Sequence, residues 1–176
     1  MVTYLSNHAV SQEIASIRPG DPEFTTFQFP ISDGYITRPQ DCHTSQGGQR
    51  GFSDLHVFQY VGNAPKATKF LIAQCKRAGY ETRDAVWDDA VQQLSEYLSN
   101  THGRRRPAER IPVYGIVAVG RYMRAYRYDN INQCVLNWAP SGMRGPRDQL
   151  QNHGPWHLKN DAGNVQLILN HILNNH

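Results

Sequence analysis

The chain has 176 residues, of which 39% are hydrophobic and 19% are charged, and its formal net charge is +3. This length and composition are typical of one globular domain that folds without disulfides, so we expect residues 1–176 to form a single domain. A mean hydropathy of −0.61, with no apolar run of about 18 residues, excludes a membrane span. The N-terminal segment lacks the basic and apolar stretches of a signal peptide, so we expect an intracellular protein, cytoplasmic or nuclear.

The first fifty residues are predicted to form a helix and a loop ahead of a core over residues 51–176. Residues 6–18 carry apolar side chains at helical spacing, which predicts a short helix that ends before Pro19. The partly alternating segment 23–35 is compatible with one short strand. Residues 36–51 are polar and rich in turn formers, which predicts a long loop.

Two apolar runs then predict a pair of strands, and an amphipathic segment predicts a helix behind them. The strands are expected over residues 54–61 and 69–76, the second of which is apolar enough for a central position. The helix is expected over residues 85–99, with Thr82 or Asp84 as its cap.

The second half of the chain predicts more strands and a final helix. The pattern over residues 113–119 and 121–128 predicts a hairpin or a bent strand pair. Residues 134–138 are predicted to add an edge strand. Residues 162–173 are amphipathic and predict the last helix. This order predicts an α/β (mixed α+β) fold, in which helices flank a central mixed β-sheet.

The polar residues of the two predicted strands form the strongest candidate site. Because side chains alternate along a strand, Gln74 and Lys76 point to one face. Asp54 begins the preceding strand, and pairing of the two strands as a hairpin brings it close to both. The Asp54 carboxylate, the Gln74 amide oxygen and the Cys75 backbone carbonyl are oxygen donors of the kind that Mg²⁺ prefers. Lys76 is then placed to orient an attacking water or to stabilise charge in the transition state.

The predicted helix contributes a second pair of polar residues. Gln93 and Tyr97 are four residues apart, so they share a helix face on the flank of the apolar stripe. Substrate or water positioning is one interpretation of this pair. The alternative is that Tyr97 packs half-buried and Gln93 lies on the surface.

One cluster of basic residues follows the predicted helix, and it consists of Arg104, Arg105, Arg106 and Arg110. A phosphate-contacting loop, a nuclear-import signal and a solvated loop all remain open as its role. We include Arg104, Arg105 and Arg106 among the candidate substrate-positioning residues.

With these features in this order, the chain resembles the PD-(D/E)XK nuclease superfamily, which has the restriction-endonuclease-like fold. Asp54 matches the acidic position of that family, and Gln74-x-Lys76 matches its E-x-K motif. The Gln93-x-x-x-Tyr97 spacing is similar to that of its RecB-like nucleases. The segments VYGIVAVGRYMRAYRYD and PWHLKNDAGNVQLILNHI resemble small fungal members of the superfamily. The resemblance covers residues 50–173 and implies a nuclease that uses Mg²⁺ or Mn²⁺.

Two positions depart from the family pattern. Ser53 stands where the family has proline before the aspartate, and Gln74 stands where it usually has glutamate. Mrr-like members of the family also carry Q-x-K. The change removes one negative charge, and a neutral amide oxygen binds Mg²⁺ more weakly than a carboxylate does. Glu13 on the first predicted helix is the candidate for a compensating metal ligand.

Asp88 and Asp89 are alternatives to Glu13, although their place in the first helical turns also suits the helix dipole. His153 and His157 are four residues apart, but Gly154 and Pro155 between them rule out a shared helix face. His102 is expected in a loop that faces solvent.

These observations predict a metal-dependent nuclease that hydrolyses phosphodiester bonds of DNA or RNA, with Mg²⁺ or Mn²⁺ as cofactor. Asp54, Gln74 and Lys76 are the catalytic candidates. The alternative is a catalytically degenerate protein of the same fold that binds nucleic acid or protein, which the glutamine at position 74 favours. The expected partner is nucleic acid and not a membrane, and the oligomeric state is left open, a homodimer included.

Overall fold

The computed structural model describes residues 35–44, 50–59, 68–103, 105–107, 110–145, 150 and 153–176, with the backbone alone for 35, 37–44 and 50–54. The predicted helix over residues 6–18, Glu13 and Arg104 lie outside these residues. The described strands are β1 (Tyr35–Thr44), β2 (Arg50–Gln59), β3 (Thr68–Lys76), β4 (Tyr114–Val119), β5 (Tyr122–Asp129), β6 (Cys134–Asn137) and β7 (Trp156–His157). The described helices are α1 (Asp84–His102) and α2 (Ala162–Asn174).

The strands form one mixed sheet in the order β1-β2-β3-β4-β5-β6, with the short β7 paired to β5. Strands β1, β2 and β3 pair antiparallel, β3 and β4 pair parallel, and β5 and β6 continue antiparallel. The parallel pair arises because α1 carries the chain back across the sheet before β4. The predicted mixed α+β fold, with helices beside a central mixed sheet, is confirmed at this level.

The prediction of a long loop over residues 36–51 was wrong. Strand β1 occupies most of that segment and pairs with β2 from Tyr35 opposite Gln59 to Thr44 opposite Arg50. Backbone pairing with β2 overrides the turn-forming composition here. Strand β1 ends the sheet order, and an edge strand tolerates Pro39 because one side of it needs no ladder hydrogen bonds.

The predicted start of the next strand was also wrong. Strand β2 begins at Arg50, so Asp54 lies within the strand and not at its first residue. The predicted pairing with β3 is confirmed, since Leu55 is the Cα partner of Ala73. Asp54 precedes Leu55 and Gln74 follows Ala73, and because the strands are antiparallel, the backbones of Asp54 and Gln74 lie at the same end of this ladder.

The two helices cover opposite faces of the sheet. The apolar stripe of α1 packs on one face, and this cluster comprises Ile72, Trp87, Ala90, Leu94, Tyr97, Leu98, Val113, Val117, Val119, Tyr126 and Tyr128. The stripe of α2, formed by Val165, Ile168, Leu169 and Ile172, packs on the other face against Phe70, Leu71, Ala73, Ile116 and Met123. Strand β3 thus supplies the core of both layers through its alternating side chains. Cys75 and Cys134 form no disulfide, and both are half-buried.

A glycine in β4 lets α1 approach the sheet closely. A Cβ atom at Gly115 would lie 2.5 Å from Leu94 Cδ2 and 3.1 Å from Leu94 Cγ. Since Leu94 is fully buried, it has little room to move. We expect Gly115→Ala to lower the free energy of unfolding by about 1–3 kcal/mol through overpacking, as measured by urea denaturation. Gly163→Ala is the matched control, because its added methyl meets open space; an equal loss in both variants would contradict the explanation.

Among the described residues, neither helix is both long enough and apolar enough to cross a bilayer.

Candidate functional site

Three side chains from β3 and α1 form a closed polar ring at the end of β3. The Lys76 ammonium donates to Asp89 Oδ2 at 2.7 Å and to Gln93 Oε1 at 2.9 Å. The Gln93 amide nitrogen donates in turn to Asp89 Oδ1 at 3.2 Å and Oδ2 at 3.1 Å. Each member of the ring therefore contacts the other two, and the ring fixes the position of the Lys76 ammonium.

The ring forms because Lys76 ends β3 on the face that α1 covers. Asp89 and Gln93 are four residues apart on α1, so their side chains lie next to each other on one face of the helix. Asp89 is 57% exposed, whereas the Lys76 side chain is mostly covered. The ammonium is thus fixed at the boundary between the helix layer and solvent, where a substrate has access to it.

Gln74 and Lys76 lie on the same face of β3, as the alternation predicts. Gln74 is only 1% exposed, beside the layer covered by α1. The backbone of Asp54 lies at the same end of the β2–β3 ladder, but its side chain lies outside the described residues. The adjoining Cys75 is half-buried among the residues that pack toward α2.

A β-bulge in β3 brings a second lysine to the α1 face. The register shifts between Val57, which pairs with Leu71, and Phe58, which pairs with Lys69. The extra residue, Phe70, joins Leu71 in the cluster beneath α2. Without the bulge, the alternation would put Lys69 on the opposite face from Lys76.

Lys69, Tyr97 and His56 form a second polar group one turn further along α1. The Tyr97 hydroxyl accepts a hydrogen bond from the Lys69 ammonium and lies 3.2 Å from His56 Nδ1. The Lys69 ammonium also lies 4.8 Å from the centre of the Tyr97 ring. Tyr97 and His56 are buried. The hydroxyl of Tyr97 is therefore bonded inside the protein, whereas Gln93 contacts Lys76.

Loss of the Tyr97 hydroxyl should destabilise the fold. Tyr97→Phe removes the buried hydroxyl that accepts a hydrogen bond from Lys69 and lies within hydrogen-bond distance of His56. We expect the free energy of unfolding to fall by about 1–2 kcal/mol in urea denaturation. Tyr80→Phe, at a half-buried ring under Arg83, is the matched control with an expected change below about 0.5 kcal/mol. Equal effects in the two variants would show that the Tyr97 hydrogen bonds contribute nothing.

His102 ends α1 and is buried, contrary to the prediction of a solvent-facing loop position. It is 1% exposed, and neither ring nitrogen has a hydrogen-bond partner within the described part of the chain. Burial, together with the charges of Arg105, Lys69 and His56, lowers the pKa of His102 from 6.5 to about 3. The prediction failed because the helix continues to His102 and carries the ring beneath its last turn.

Arg105 and Arg106, the candidate arginines that the structure describes, lie at the opposite end of α1 from Lys76. Arg105 follows the end of the helix, and its backbone N–H donates to His102 O at 3.1 Å. From Asp89 to His102 the helix rises roughly 20 Å at about 1.5 Å per residue. Arg105 and Arg106 are therefore distant from the ring of Lys76, Asp89 and Gln93.

Some of these contacts could not be found from sequence patterns. Asp89 was considered only as a replacement acid or a helix-dipole residue, although its i, i+4 spacing with Gln93 was a signal for the shared face. Lys69 was missed because a bulge leaves no mark in the period of the sequence. His56 packs edge-on against the Tyr97 ring and lies within hydrogen-bond distance of its hydroxyl.

Comparison of the chain with protein-family models, with curated proteins and with solved structures finds no match. Within the described ranges, no three His, Cys, Asp or Glu side chains are grouped to hold a metal ion.

Proposed function

We propose that the protein hydrolyses phosphodiester bonds of DNA or RNA with the help of Mg²⁺ or Mn²⁺, and that it has a restriction-endonuclease-like core. The order of the site-bearing elements supports the proposal. Asp54 lies on β2, Gln74 and Lys76 on β3, and Gln93 on α1, before the parallel strand β4. Each of these residues occupies the element that the resemblance to PD-(D/E)XK nucleases implies for it.

The fixed Lys76 ammonium is the observation that carries the proposal. A lysine ammonium has three N–H donors, and among the described residues Asp89 and Gln93 take two of them. One donor remains for a phosphate oxygen or for the attacking water. Because the ring already holds the ammonium, little reorganisation is needed when negative charge develops on a phosphate in the transition state.

The candidate donors are of the kind that a hard cation prefers. The Asp54 carboxylate, the Gln74 amide oxygen and the Cys75 backbone carbonyl are all oxygen ligands, and they would hold the ion at that end of the β2–β3 ladder. A bound Mg²⁺ or Mn²⁺ supplies Lewis-acid stabilisation of charge on the scissile phosphate. Asp89, which pairs with Lys76 two residues beyond Gln74, adds a carboxylate on the face of the sheet that α1 covers.

The protein's own residues then have separable roles in the proposed reaction. Lys76 donates to the reacting phosphate or orients the water, and Gln93 and Asp89 orient Lys76. Tyr97 acts more remotely, since its hydroxyl holds His56 and Lys69 in the layer beneath α1. Arg105 and Arg106 are too far from Lys76 to touch the same phosphate, so contact with the reacting phosphate is left to Lys76.

Binding of nucleic acid or protein without hydrolysis is the second candidate function. The neutral Gln74 side chain, 1% exposed, favours it because the site lacks the acid that would bind a cation most strongly. The two candidates differ in their metal dependence, which a single substitution can test.

Gln74→Glu should raise the affinity for Mn²⁺ if Gln74 is a ligand, by about tenfold or about 1.4 kcal/mol. The measurement is the melting temperature during a Mn²⁺ titration without substrate, because a ligand of the folded state alone raises it. Gln92→Glu, at an exposed position on the same helix as Gln93, is the matched control and should change nothing. Unchanged affinity in Gln74→Glu would remove Gln74 from the metal site.

A further inference from the structure

An open groove lies beside the β5–β6 hairpin, away from the Lys76 site. Its volume is about 450 Å³, and its lining residues include Arg110, Arg127, Asp129, Ile131 and Leu136. Arg127 on β5 and Leu136 on β6 are Cα partners, so a cation and an aliphatic side chain stand next to each other. The groove therefore offers charge and apolar surface together.

The apolar part of this groove is unusually exposed. Ile131 is 82% exposed and Leu136 is 51% exposed, and they are the exposed large hydrophobic residues of the described chain. Both line the same groove. Single exposed apolar side chains are ordinary, but two that share one groove with arginines are typical of protein interaction surfaces.

The charge of the groove is positive. Arg110 and Arg127 are exposed, and Arg110 Nε donates to the backbone oxygen of Arg105 at 3.4 Å, which brings the segment of Arg105 and Arg106 alongside. Among the described lining residues Asp129 is the acidic one, and its carboxylate accepts from Ile131 N at 2.8 Å and Asn132 Nδ2 at 2.6 Å. That carboxylate holds the β5–β6 turn, and because Arg110 and Arg127 outnumber it, the described lining has a positive net charge.

The side chains favour a protein over a nucleic acid as the occupant. Surfaces that bind single strands without sequence preference present aromatic rings for the bases to stack on. Tyr128 is the aromatic side chain among the described lining residues, and it is only 3% exposed, so this part of the groove presents aliphatic side chains instead.

The position of the groove also separates it from the proposed nuclease site. Lys76 and Tyr122 lie in one row across the sheet through Val119, whereas the groove lies at the far end of β5, roughly 20 Å away at about 3.3 Å per residue. Between them, α1 carries four acids and no lysine or arginine; the acids are Asp84, Asp88, Asp89 and Glu96. A polyanion that ran from one site to the other along α1 would be repelled.

We propose that this groove docks an acidic segment of a partner protein, whose carboxylates pair with Arg110 and Arg127 and whose aliphatic side chain packs against Ile131 and Leu136. The positive charge of Arg110 and Arg127 favours acidic residues in the partner segment. The exposed side chains of Ile131 and Leu136 favour an aliphatic residue between them. Because the groove is apart from Lys76, docking is independent of hydrolysis.

The test is fluorescence anisotropy with a labelled synthetic peptide in which glutamates flank one leucine. Arg110→Glu with Arg127→Glu should weaken binding by at least about tenfold, or about 1.4 kcal/mol. Arg144→Glu with Lys159→Glu is the matched control, because both residues are exposed elsewhere and the change in net charge is the same. If the charge reversals unfold the protein, as checked by circular dichroism, Arg110→Gln with Arg127→Gln replaces them.

The aliphatic contact has its own test. Ile131→Ser with Leu136→Ser should weaken binding of the leucine peptide about fivefold and leave a leucine-to-serine peptide unaffected. Equal binding of the peptide to the Arg110/Arg127 variant and the wild type would overturn the proposal, as would no binding at all. Tighter binding of labelled oligothymidylate through the same arginines, insensitive to Ile131 and Leu136, would also overturn it and identify a phosphate-binding surface.

Discussion

Lys76→Ala should lower the rate of metal-dependent phosphodiester cleavage by about 10²–10³-fold, which is typical for loss of one pre-positioned donor to developing charge. The fold should survive, because the ion pair of Lys76 with the 57% exposed Asp89 contributes only about 0–1 kcal/mol. Cleavage rates and melting temperatures of the same preparations separate the two effects. A large loss of rate with little change in melting temperature is the expected result.

Arg77→Ala is the matched control for Lys76→Ala. Arg77 is the next residue, a cation that is exposed just beyond the end of β3. Its loss removes the same charge from the same region but leaves the ring of Lys76, Asp89 and Gln93 intact. If Arg77→Ala slowed cleavage as much as Lys76→Ala does, the effect would come from general electrostatic attraction and not from the fixed Lys76 ammonium.

His102 should make the protein sensitive to acid. In the folded protein, burial lowers the pKa of His102 from 6.5 to about 3, so the ring is neutral there at neutral pH. Once unfolded, the same ring takes up a proton near pH 6.5. Between pH 6.5 and pH 3 the unfolded state therefore binds more protons, and the free energy of unfolding falls as the pH falls. The loss from this one group amounts to at most about 4–5 kcal/mol, at about 1.4 kcal/mol per pKa unit.

Two substitutions that cannot titrate test this expectation. His102→Leu and His102→Gln differ in polarity and packing, but both should remove the contribution of His102 to the pH dependence between pH 6.5 and pH 3. Urea denaturation at several pH values in that window measures the slope of the free energy of unfolding against pH. If both variants keep the wild-type slope, protonation of His102 in the unfolded state does not drive the acid sensitivity.

The fold was predictable where apolar periodicity is strong. The alternation in β3 and the helical stripes of α1 and α2 each point to one structure, and local preference agrees with the final packing. Strand β1 was missed because its residues prefer turns on their own. Only pairing with β2, which no local pattern shows, makes them extended.

The candidate site was predictable only in part. The sequence spacing predicted that Gln74 and Lys76 share one face of a strand and that Gln93 and Tyr97 share one face of a helix, since both follow from the regular periods of these elements. Periodicity could not reveal that Gln93 contacts Lys76 while Tyr97 contacts Lys69, because a bulge sets the face of Lys69. His102 is buried because α1 continues to this residue. The arginine-rich segment that follows favours a loop, so the sequence pattern did not reveal where the helix ends.

Incubation of the purified protein with labelled single- and double-stranded DNA and RNA, in Mn²⁺, Mg²⁺ or EDTA, tests the proposed function most directly. The proposal predicts cleavage of at least one of these substrates with Mn²⁺ or Mg²⁺, and none in EDTA. No cleavage of any substrate, together with no shift of the melting temperature on addition of either metal, would contradict metal-dependent hydrolysis and favour the binding function.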